Sequence, residues 1–129
     1  MAQSNNPVVW FEIYVRDIQR AKTFYEKVLE VEMQDLPVPA GAGPTKMIAF
    51  SMQQSGGGAA GALVEMKDAP VGAGGTIVYF TCEDCGKTAR RVAGAGGMVF
   101  KEKTPIGPHG FMALATDTEG NMFGLHSMT

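Results

Sequence analysis

The chain carries an echo of itself at half its length. Residues 10–33 read WFEIYVRDIQRAKTFYEKVLEVEM and residues 77–92 read IVYFTCEDCGKTARRV. Each segment is a short alternating run, an acid-bearing junction and a helical stretch. Setting Asp17 on Asp84 gives an offset of 67 residues (84 − 17), about half of the 129 in the chain. Such a repeat restricts the fold to two copies of one supersecondary unit.

The first copy predicts a strand over Val8–Val15. Period-two geometry puts Phe11, Ile13 and Val15 on one face and Trp10, Glu12 and Tyr14 on the other. Asp17 is a helix N-cap type. Ala21, Phe24, Tyr25, Val28 and Leu29 then recur at i, i+3, i+4, i+7 and i+8, a single apolar stripe. In the second copy Val78, Phe80 and Cys82 oppose Ile77, Tyr79 and Thr81, and glycines close the helix. Glycine-rich breaks at 41–43, 56–58 and 72–75 separate further short strands. These are expected at Val31–Asp35, Met47–Met52, Ala62–Met66, Met98–Lys101, Phe111–Thr116 and Met122–Ser127. The cluster Asp117-Thr118-Glu119-Gly120-Asn121 between the last two predicts a tight turn. The fold class is therefore α+β: two tandem βαβββ modules, about 7–67 and 75–128, in one domain over 1–129.

Composition excludes several functions. A net charge of −2 with no cluster of Lys and Arg offers no footprint for nucleic acid. No apolar run approaches the roughly 20 residues needed to span a bilayer. The opening MAQSNNPVV lacks the basic and apolar regions of a secretory signal, so a cytoplasmic location is expected. Nine methionines suit a cavity that adapts its shape, although most simply replace leucine in a core.

Three motifs together resemble the vicinal oxygen chelate superfamily, which comprises the glyoxalase, bleomycin-resistance and extradiol dioxygenase proteins. They are residues 10–33, the echo at 77–92, and GFMALATDTEGNMFGL at 110–125. The first and last are similar to the lactoylglutathione-lyase-related branch. The resemblance implies sheets curled around a shared cavity, commonly in a homodimer, with the last strand lining the cavity. It also implies a divalent metal held by His, Gln or Glu on the first strand of each module and by Glu on a final strand. In this chain those positions are Trp10, Ile77 and Gly124, none of which offers a suitable lone pair. No cofactor is therefore expected. The alternative is a divalent metal at a site shifted to Glu12 and His126, which falls short of the three protein ligands a catalytic metal normally takes.

The expected site residues share inward parity on the cavity strands. Glu12 and His126 are the candidate catalytic pair, with Glu12 as general base. Trp10, Tyr14, Tyr79 and Thr81 supply aromatic surface and hydroxyls, and His109 lies in a loop at the cavity rim. Cys82 and Cys85 spell Cys-x-x-Cys, a spacing shared with redox motifs. The repeat sets them on Val15 and Ile18, so they read as small buried hydrophobes beneath the helix. The function expected is binding of a small molecule in the cavity. The alternatives are a lyase or isomerase acting on a small carbonyl or glutathione-linked substrate, and an antibiotic-sequestering resistance protein.

Overall fold

Each module starts on a strand whose apolar face must be covered, and in each the following helix covers it. The computed structural model describes residues 7–38, 43–51 and 58–129. Two compact units divide the chain: Trp10–Thr76, and Ile77–Thr129 with residues 7–9 of the described chain.

The first module runs β1 (Val8–Tyr14), α1 (Ile18–Leu29), β2 (Gln34–Asp35), β3 (Thr45–Ala49) and β4 (Ala60–Met66). Its strands lie in the order β2-β3-β4-β1, with β1 and β4 parallel and the other pairs antiparallel. Asp17, in extended conformation, caps α1 by accepting from the backbone N–H of Arg20 at 3.1 Å. The helix seals a core of Ile18, Met33, Ile48 and Leu63, against which Ile13, Val15, Ala21, Tyr25 and Phe50 pack. Each large side chain fully buried there contributes about 1.5–3 kcal/mol.

The second module repeats the order: β5 (Thr76–Thr81), α2 (Cys85–Gly94), β6 (Met98–Pro105), β7 (Phe111–Thr116) and β8 (Met122–Ser127). Its strand order is β5-β8-β7-β6, with β5 and β8 parallel. Asp84 caps α2 through the N–H of Gly86 at 2.9 Å. Cys85, Ala89, Ala113 and Leu125 form the core, joined by Phe80, Cys82, Val99, Phe111 and Phe123. Cys82 and Cys85 are thus packing residues. Burial pushes the Cys82 thiol above its ordinary value. The expected turn between β7 and β8 is built on Asp117, which accepts from the backbone N–H groups of Glu119 and Asn121 at 2.8 and 2.9 Å.

A second device recurs in both modules. The N–H of Ile18, first residue of α1, donates to Glu65 Oε1 at 3.0 Å, and the N–H of Cys85, first residue of α2, donates to Ser127 Oγ at 2.9 Å. In each case the last strand of the module satisfies an orphan donor of its helix.

Five expectations change. The strand expected over Val31–Asp35 shrinks to Gln34–Asp35, because residues 30–33 are spent leaving the helix. Glu30 is left-handed, the N–H of Val31 bonds back to the Glu26 carbonyl, and the N–H of Met33 bonds to the Glu26 carboxylate. β4 starts at Ala60, where the register pairs Trp10 with Ala60 and Phe11 with Gly61. β6 extends to Pro105, since irregularities between Val99 and Thr104 break its alternation. The α1 stripe is only half used. Ala21 and Tyr25 face the core, whereas Phe24, Val28 and Leu29 are 57%, 58% and 52% exposed. β3 runs over Thr45–Ala49, starting two residues before the expected Met47 and ending before Phe50 and Ser51; the expected last residue, Met52, lies outside the described residues, as do most of the glycines of the 41–43 and 56–58 breaks.

Candidate functional site

Alternation along β1 places Trp10, Glu12 and Tyr14 on the face away from α1, and their side chains meet. The Trp10 indole Nε1–H donates to Glu12 Oε2 at 3.1 Å, and the Tyr14 hydroxyl donates to Glu12 Oε1 at 2.8 Å. Glu12 is only 9% exposed. Burying a carboxylate is costly, and two convergent donors offset that cost. Tyr14 responds in turn. Its own burial, then the charge of Glu12 and the bond to it, hold the phenol well above its ordinary value. Glu12 faces Ala62 in the β1–β4 register and Tyr14 faces Val64, so a small and a branched side chain flank the polar pair.

The second module collects the remaining candidates on β5 and β8. Tyr79 pairs in register with Gly124, and Thr81 with His126. The Tyr79 ring is buried and fills the space that a side chain on Gly124 would take. His126 is half-buried, and its Nε2 lies 2.6 Å from the carbonyl oxygen of His109. That carbonyl belongs to a single 3-10 turn, Gly107–His109, between β6 and β7. Thr81 keeps the strand face of Tyr79 and the register of His126, and it is exposed at the end of its strand, where the chain turns toward α2. The His109 ring is exposed, and its hydrogen bond to His126 runs through the backbone.

The metal positions implied by the resemblance do not fit an ion. Trp10 commits its nitrogen as a donor, Ile77 has no polar atom, and Gly124 lies under the Tyr79 ring. At the shifted site, each Glu12 oxygen already accepts a hydrogen bond, and one His126 nitrogen is held by a carbonyl. Among the described residues, no three His, Cys, Asp or Glu side chains gather in metal-binding geometry.

One feature escaped the sequence reading. An open depression of about 380 Å³ beside the start of α1 is lined by Arg16, Asp17, Arg20, Phe24, Tyr25 and Val71. None of the candidate residues lines it. Its only sequence signal is the pair of arginines flanking the Asp17 cap.

Among the described residues no helix is long and apolar enough to cross a membrane. No curated protein matches the chain. Solved structures do. A hypothetical protein from Bacillus halodurans matches at TM-score 0.68 and 16% identity, over 98% of this chain and 96% of its own. The methylmalonyl-CoA epimerase from Mycobacterium tuberculosis matches at TM-score 0.67 and 14% identity, over 100% and 93%. A methylmalonyl-CoA epimerase in complex with methylmalonyl-CoA and NH4+ matches at TM-score 0.67 and 18% identity, over 94% and 93%. At those identities the likeness is one of fold. The family model of the Glyoxalase/Bleomycin resistance protein/Dioxygenase superfamily matches residues 8–125, and the chain belongs to that superfamily.

Proposed function

We propose that the protein binds a small organic molecule on the face of β1 that carries Trp10, Glu12 and Tyr14, without a metal ion. The observation that carries this reading is the carboxylate of Glu12, fixed by two ring side chains that converge on it. A polar group so oriented beside aromatic surface is how mostly apolar sites select a ligand. Tyr79 and His126 on the second module are assigned the same role on their own face. His109 contributes through its carbonyl.

A second reading is a proton-transfer enzyme, a lyase or isomerase acting on a carbonyl compound with Glu12 as base. It is favoured by the epimerases among the structural neighbours, one of them bound to methylmalonyl-CoA. A thioester of coenzyme A thus joins the glutathione-linked substrates of the lactoylglutathione-lyase-related branch and the antibiotics of the resistance proteins as a candidate ligand. We take the protein to be a homodimer, as its superfamily membership and its uncovered sheet edges favour.

Trp10 is the single tryptophan of the chain and reports directly on the site. Titration of its emission with methylmalonyl-CoA, S-lactoylglutathione and bleomycin is expected to give a saturable change with one of the three, absent in Glu12→Ala. A flat response to all three would overturn the assignment of this face. Turnover of the compound that saturates would favour the enzyme over the binder.

A further inference from the structure

We infer that His126 is locked in one tautomer, protonated at Nε2, and presents Nδ1 as a positioned base on the β5–β8 face. A carbonyl oxygen has no hydrogen to give. With Nε2 at 2.6 Å from the His109 carbonyl, the hydrogen between them belongs to the ring. The neutral imidazole carries one hydrogen, so Nδ1 keeps its lone pair. Among the described residues Nδ1 has no hydrogen-bond partner.

The carbonyl that sets the tautomer is itself held. Gly110, which follows His109, sits at φ 95°, and a Cβ there would strike the Ser127 carbonyl oxygen and the Met128 backbone. Only glycine lets the turn lie this close to the end of β8. The turn is closed by Ile106 N–H to the Gly110 carbonyl at 2.8 Å and by Gly110 N–H to the Gly107 carbonyl at 3.3 Å. Phe111 and Ser127 then begin the β7–β8 ladder. His109 is therefore a positioning residue acting through its backbone, and Gly110 fixes where that backbone lies.

In register, His126 stands between Thr81 on β5 and Met112 on β7, neither of which carries charge. Nδ1 is thus an acceptor on a strand whose two register partners are uncharged. Resting on the reading of this face as ligand-binding, the inference names the group it takes: a hydrogen-bond donor such as an N–H or O–H, rather than a carboxylate or a carbonyl oxygen.

The test needs no ligand. His109→Gln leaves the backbone carbonyl in place and makes His126 the only histidine, since the chain has two. Long-range proton–nitrogen correlation of its neutral imidazole at alkaline pH is expected to show a single species protonated at Nε2. An Nδ1–H species, or the mixture shown by free histidine, would overturn the inference. In the second arm, His126→Gln retains an N–H donor of similar reach, and it should keep the thermal midpoint better than His126→Ala. Equal midpoints for the two variants would remove the carbonyl bond from the argument. A correct tautomer alongside flat Trp10 titrations would sink the binding assignment and leave this inference standing. The reverse pairing would sink only the inference.

Discussion

The ring of Tyr79 on β5 covers Gly124, its register partner on β8, so one residue's side chain occupies the space of the other's. This relationship settles what position 124 is able to carry. A methyl there must displace a buried ring or bend the strand, and overpacking of this kind costs about 1–3 kcal/mol. Gly124→Ala is expected to lower the urea midpoint accordingly. Tyr79→Leu combined with Gly124→Ala should cost less than the sum of the two single changes. Additive costs in the double-mutant cycle would mean that the contact carries no energy.

How much of this was legible in the chain depended on what each feature is made of. β7 and β8 match the expected spans residue for residue, because two short apolar stretches bracket a turn built on Asp117. Both helix caps were equally plain. The α1 stripe misled, since periodicity marks which residues share a face without showing how wide a sheet waits beneath them. The irregularities in β6 concealed its length for a related reason, as they destroy the alternation that reveals a strand. At the site, the period of two was enough to group Trp10, Glu12 and Tyr14. The bond from His126 to His109 was invisible, because a backbone carbonyl has no letter in the sequence.

The geometry around Glu12 separates two substitutions. In Glu12→Gln the amide oxygen can face the Trp10 N–H, which only donates. The amide nitrogen can then donate to the Tyr14 hydroxyl, which also accepts. Stability should stay within about 1 kcal/mol of the parent. Glu12→Ala strands two part-buried donors and should cost about 1–3 kcal/mol. Equal losses for both variants, measured by denaturant unfolding, would contradict the observed pairing.

Tyr14 makes a prediction about alkali. Its folded value lies above the unfolded value of 10.0, so its contribution is fully present below about pH 10 and is lost as pH rises toward the folded value. For one proton the slope is about 1.4 kcal/mol per pH unit. Across about pH 10 to 11, where the unfolded phenol is only partly ionised, Tyr14→Phe should lessen the fall in stability by about 1 kcal/mol. Parallel pH curves for parent and variant would disprove it.

Ser127 is buried and accepts from the first amide of α2, as Glu65 accepts from the first amide of α1. Ser127→Ala leaves that amide unsatisfied and should cost about 1–2 kcal/mol. Glu65→Gln retains an acceptor oxygen and should cost clearly less than Glu65→Ala. Thermal unfolding of the four proteins checks both statements.

β6 is the terminal strand of its half-sheet, and Met98 and Phe100 on it are each 69% exposed. Apolar side chains of that size on an uncovered edge favour pairing with a second copy. For the homodimer proposed above, Phe100→Lys is expected to shift sedimentation from a dimer to a monomer mass at micromolar concentration, with the thermal midpoint of the monomer preserved; a parent protein that sediments as a monomer would overturn the proposed pairing. A dimer that persists in both Phe100→Lys and Met98→Lys would place the interface elsewhere.

The hydrogen bond from each last strand back to the first turn of its own helix has a kinetic consequence. The Ile18 amide is tied to Glu65 and the Cys85 amide to Ser127, partners 47 and 42 residues away in the chain. Neither amide is released by fraying of its helix alone, because its acceptor sits on the strand that closes the module. Exchange with solvent deuterium at Ile18 and Cys85 should therefore track the opening of a whole βαβββ unit, which marks each module as a foldon in its own right.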